Sequence, residues 1–155
     1  MTLIEMLIVV SLIGLLAGIT FPSVSSGLET LRLNEAASGI VNFFNDALIQ
    51  ADRREQAVEI SISRTDRTLT MRSPDSKTEK KLDLPKGISI AGILPEQEED
   101  AGDDAPPRRF MVYPGGAVPA AGVDLVNGKG AHRIVRVDPI TGVPRIEKPA
   151  DPARK

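Results

Sequence analysis

The chain has 155 residues, the size of one ordinary domain. Its 19 Lys and Arg against 21 Asp and Glu leave a net charge of −2, too balanced for a general nucleic-acid binder. With no Cys and one His it cannot build a disulfide framework, a thiol nucleophile or a Cys/His zinc cluster, and with 3% aromatics its core must be aliphatic.

Residues 1–28 read MTLIEMLIVVSLIGLLAGITFPSVSSGL, in which Glu5 is the only charged side chain. Nothing between Met6 and Phe21 is ionisable, and with Thr2–Ile4 the apolar run approaches the roughly 20 residues needed to cross a bilayer as a helix. No Lys or Arg precedes the run and the helical pattern continues past it, which predicts a retained helix rather than a cleaved signal. A carboxylate near the start of such a helix either rests at headgroup level or finds a cation. The α-amino group of Met1, about one turn away, or that of a neighbouring chain would serve. Gly14 and Gly18 form a GxxxG spacing, which permits close helix approach; frequent Gly in membrane helices explains it equally well. Pro22 removes a helical hydrogen bond and predicts a kink.

Thr2-Leu3-Ile4-Glu5, the apolar run and Pro22 resemble the mature N-terminus of the type IV pilin superfamily, which includes the pseudopilins of type II secretion. The match is close over about the first 25 residues. Met1 stands where the family usually carries Phe, and the sequence includes no basic leader ending in Gly. The resemblance implies that Glu5 pairs with the N-terminal amine of an adjacent subunit. It further implies that a prepilin peptidase/methyltransferase acts on the precursor and that Met1, Glu5, Gly14 and Pro22 belong to an assembly segment.

Beyond Pro22, Leu33, Ala37, Ile40, Phe44, Ala47, Leu48 and Ala51 recur at spacings of three and four, with polar residues on other faces. One helix is predicted over residues 2–54, its first part (1–21) for membrane and assembly and its second (22–54) amphipathic and laid on a globular domain.

From residue 55 the period changes to two. Val58, Ile60 and Ile62 alternate with Glu59, Ser61 and Ser63, a strand with one wet face. A returning strand follows over 68–72 with Leu69 and Met71 inward, then a loop at Pro74-Asp75-Ser76. Leu82 and Leu84 mark a third strand, Ile88 and Ile90 a fourth. Residues 96–107 hold six acids and no base, but the calcium-loop spacing DxDxDG is missing, which predicts a solvated loop.

Further strands are expected over 109–113, 123–126, 132–138 and 143–147, the middle pair joined by a hairpin at Asn127-Gly128. In 132–138 the expectation is that Ile134 and either Val135 or Val137 are buried. Residues 148–155 read as a frayed tail. The layout is α+β, a long N-terminal helix on an antiparallel β domain over 55–147. The strands and glycines from Arg109 to Glu147 resemble the C-terminal part of H-type minor pseudopilins and related minor type IV pilins, which implies two small sheets packed on the helix.

No GxSxG, HExxH or P-loop is present, and His132 stands alone as a surface or strand-edge residue. No enzyme activity, cofactor or metal is expected. The resemblance implies a structural minor pseudopilin in the bacterial inner membrane, single-pass, with its C-terminal domain in the periplasm and other pseudopilins as partners. The alternative is a minor type IV pilin with a pilus-assembly or DNA-binding role. Lys129–Lys155 carries seven bases against three acids, and Lys129, Arg133, Arg136 and Arg145 are its candidate contacts to nucleic acid or a partner. A membrane-anchored periplasmic domain that never assembles is a third reading, against which Glu5 in its TLIE context argues.

Overall fold

The computed structural model describes residues 2–73, 79–97, 105–115 and 120–148; within the helix, the side chains of residues 19–26 lie outside that description. Helix α1 spans Leu3–Arg54, about 78 Å at 1.5 Å per residue, matching the 2–54 expected from the sequence. Thr2 caps its start in extended conformation. At its end Glu55 adopts a left-handed backbone (φ 51°), Gln56 N–H closes onto Ala51 O at 3.2 Å, and Arg53 and Arg54 sit where the helix dipole favours cations. The helix is continuous through Pro22, whose side chain is among those not described.

Among the described residues eight strands follow: β1 (Val58–Ser63), β2 (Thr68–Arg72), β3 (Lys80–Asp83), β4 (Ile88–Leu94), β5 (Arg108–Val112), β6 (Gly122–Asn127), β7 (His132–Val137) and β8 (Pro144–Glu147). They form two four-stranded antiparallel sheets, ordered β3-β2-β1-β5 and β4-β6-β7-β8. Only β5 leaves chain order, crossing from the second sheet's end back to the first sheet's edge beside β1. The α+β layout expected from the sequence is the one observed.

Both sheets turn an aliphatic face to the C-terminal half of α1. Leu33, Ala37, Ile40, Phe44, Ala47 and Ala51 of the expected stripe are buried, joined by Ala36 and Phe43, with Leu48 partly covered. Val58, Ile60, Ile62, Leu69, Met71 and Val112 meet them from the first sheet; Ile88, Val123, Leu125, Val135 and Val137 meet them from the second. Each fully buried aliphatic side chain contributes about 1.5–3 kcal/mol, so this three-sided core is where the domain's stability resides. Upstream of Leu33 the helix leaves the core: Leu3, Ile4, Leu7, Val10, Leu15, Leu28 and Leu31 are all at least half exposed.

Several local expectations change. Ser63 is buried, not on the wet face, because its hydroxyl donates to Asp66 Oδ2 at 2.8 Å and accepts from Asp66 N–H at 3.2 Å, closing the β1–β2 turn. In β7 both Val135 and Val137 are buried and Ile134 is half-buried, since residues two apart share a face and Ile134 falls on the other. Strand β4 runs on to Leu94, past a register shift between Ile90 and Gly92. Leu84 follows β3 rather than lying in it, although it is buried. The loop at Pro74-Asp75-Ser76, residues 98–104 of the acidic run, Gly116 of the turn at 114–116 and residues 149–155 of the tail lie outside the described residues.

Candidate functional site

The tip of α1 carries the sequence's strongest signal. Glu5 N–H donates to Thr2 Oγ1 and Thr2 N–H donates to Glu5 Oε2, each at 3.4 Å, a reciprocal capping box that satisfies two free backbone donors. The carboxylate is thereby held at the positive end of the helix dipole. Met1, the expected source of a cation, lies outside the described residues. A Cβ built on Gly14 or Gly18 meets nothing within 4 Å, so within one chain this spacing faces open space.

Among the described residues no helix is long and apolar enough to cross a membrane. The described side chains of the apolar run end at Gly18, and the span expected over 1–21 draws also on Ile19, Thr20 and Phe21, which lie outside that description.

The four basic residues proposed as one contact surface are divided by the fold. Val135 and Val137 point into the core, and Arg133 shares their face: its Nε donates to Asn34 Oδ1 on α1 at 3.0 Å and its Nη1 to His132 O at 2.8 Å. Lys129 also turns to the helix, with Nζ 3.9 Å from Glu29 Oε2. Arg136 points the opposite way, directly across from Arg145 in the β7–β8 register. A single basic surface built from Lys129, Arg133, Arg136 and Arg145 therefore does not exist, because strand alternation sends adjacent members to opposite faces.

Arg145 lies 4.0 Å from Asp138 Oδ2. Asp138 Oδ1 accepts the backbone N–H groups of Ile140 at 2.9 Å and Thr141 at 3.1 Å. These two bonds, with a smaller pull from Arg145 against slight desolvation, hold the Asp138 carboxyl below its ordinary value of 3.8.

Two features escape a reading of the sequence. His132 is not a lone edge residue: its Nδ1 lies 3.0 and 3.1 Å from the two carboxylate oxygens of Asp124 on the neighbouring strand. The signal was the β6–β7 register, in which His132 lies opposite Val126 and so diagonal to Asp124, but spacing alone does not fix register. The second is a groove of about 290 Å³ between the last turns of α1 and the β7–β8 turn, lined by Asn45, Leu48, Asp52, Tyr113, Thr141 and Val143. Asp52 Oδ1 accepts Gly115 N–H at 2.9 Å at its wall.

This fold has a counterpart among solved structures. The minor pseudopilin EpsH from the type 2 secretion system of Vibrio cholerae matches with a TM-score of 0.57 at 13% identity, over 77% of this chain and 99% of that one. The chain has the fold of a minor pseudopilin. No protein-family model matches the sequence, and no curated protein matches it. At 13% identity the likeness is one of fold.

Proposed function

We propose that the chain is a minor pseudopilin of a type II secretion system, a structural subunit without catalytic activity. In this reading residues 1–21 hold it in the inner membrane, residues 55–147 face the periplasm, and other pseudopilins are its filament partners. The observation that carries it is the bare N-terminal half of α1, an exposed apolar surface from Leu3 to Leu16 ending in a carboxylate fixed by Thr2. Such a surface is stable in lipid or against other helices and in neither case needs a binding pocket. The EpsH architecture supports a secretion role over a general membrane anchor.

The apolar helix exchanges lipid for neighbouring helices as the filament forms. Glu5 sets the axial register by pairing with an adjacent subunit's amine, since an unpaired charge among apolar helices is costly. Processing and methylation by a prepilin peptidase/methyltransferase belong to the same reading. The minor type IV pilin alternative with a DNA-binding role loses its motive, because the basic residues it relied on face two directions.

The test is in-membrane cross-linking of Glu5→Ala to its filament partners, with fractionation as control. Membrane levels should be unchanged or slightly higher, since a carboxylate has left the apolar segment. Cross-links should be lost, and Glu5→Gln should fail similarly. Normal cross-linking at equal membrane levels would sink the register role.

A further inference from the structure

The outer face of the second sheet sets two arginines side by side. Arg136 and Arg145 are cross-strand partners, and like charges directly opposite each other destabilise a pair of strands. Arg145 has Asp138 Oδ2 at 4.0 Å, while the other oxygen of that carboxylate takes the Ile140 and Thr141 N–H groups. Among the described residues the Arg136 guanidinium has no hydrogen-bond or ion-pair partner. The next position along the same row is Gly122, opposite Arg136 on its other side. A Cβ there would lie 3.0 Å from Val135 O and 3.1 Å from Leu94 Cδ1, so a larger side chain at this position would crowd both. The row therefore runs Leu94, Gly122, Arg136, Arg145: an apolar shoulder, a low step and two parallel cations. Half-buried Ile134 lies on the same face two residues before Arg136.

Two guanidinium groups whose Cα atoms are roughly 5 Å apart match two carboxylates on one segment, each able to take a forked pair of N–H bonds. We infer that the Arg136–Arg145 pair is a docking site for an acidic loop of a neighbouring subunit. Charge complementarity selects the occupant. An incoming carboxylate pair turns the like-charge conflict into attraction, whereas the face is too short in basic residues for the run of phosphates along a duplex. The required chemistry is of the kind this chain itself carries at residues 96–104, EQEEDAGDD, six acids with no base. Calling the partner a subunit rests on the pseudopilin reading; the carboxylate site itself does not.

The experiment uses the full chain in detergent micelles and three fluorescent probes: the peptide EQEEDAGDD, its amide counterpart QQQQNAGNN, and a 20-base-pair DNA duplex. The acidic peptide should bind at low salt and weaken at least tenfold between about 50 and 300 mM salt. Arg136→Glu and Arg145→Glu should each weaken it at least tenfold, Arg136→Lys less, and Arg133→Gln not at all. Circular dichroism checks that each variant is folded. The proposal is overturned if the acidic peptide fails to bind, if the amide peptide binds equally, if Arg136→Glu leaves binding unchanged, or if only the duplex binds. No filament is present in this assay, so its failure leaves the Glu5 cross-linking result standing on its own.

Discussion

Arg133 Nε donates to Asn34 Oδ1 at 3.0 Å, joining the start of β7 to α1 across 99 residues of sequence. The bond makes a strand arginine part of the helix–sheet seam. Arg133→Ala should therefore lower stability by about 1 kcal/mol, the worth of one hydrogen bond at a partly wet site. Arg136→Ala, on the other face, should stay within about 0.5 kcal/mol of the unaltered chain. Urea unfolding of both variants under one condition checks the contrast, and equal losses would contradict the two-faced placement.

Phe44 is 3% exposed at the centre of the helix stripe, in a chain with four Phe, one Tyr and no Trp. Few other side chains could fill the space it leaves. Phe44→Ala should cost about 3–5 kcal/mol. A loss below about 1 kcal/mol on denaturant unfolding would mean that the helix docks on a different face.

Gly122 offers a smaller, sharper test. A Cβ there meets the backbone oxygen of Val135 at 3.0 Å, and a backbone atom between two paired strands cannot swing away as a side chain could. Gly122→Ala should destabilise by about 1–3 kcal/mol. Amide exchange should quicken first in β6 and β7, whereas unaltered protection there would show that the strands can spread without cost.

The acid limb of stability should contain a contribution from Asp138. Its carboxyl is held below 3.8 in the folded chain by the Ile140 and Thr141 N–H groups. The folded state thus binds the proton less readily than the unfolded state. The contribution is fully present above the ordinary value of 3.8 and fades as the pH falls through the lower folded value. Asp138→Asn keeps an oxygen for both N–H groups but removes the titration. Urea unfolding from pH 6 to 2.5 should show a shallower acid limb in the variant; identical slopes would remove Asp138 from the account.

Removing residues 1–25 should leave a folded domain. Among the described side chains the buried core begins at Leu33, with none from the helix before it. Cooperative thermal unfolding of the shortened chain is the expected result, and a gradual, non-cooperative melt would show that the N-terminal half supports the fold.

The sequence by itself determined the periodic elements. An apolar run with one acid, then a stripe from Leu33 to Ala51, then alternation at Val58, Ile60 and Ile62 specify a long helix and its strands, because burial imposes periods of 3.6 and 2 on whatever chain must cover a core. The reciprocal capping bonds between Thr2 and Glu5 became evident only in the structure. Register and facing were decided by the tertiary structure alone. A shift of one residue in β7 would have put Ile134 in the core, exchanged the faces of Arg133 and Arg136 and turned His132 away from Asp124. With Ile134 on one face and Val135 and Val137 on the other, both faces of the strand carry an apolar residue. The choice depends on how Val135 and Val137 pack against α1, a segment about a hundred residues earlier in the chain.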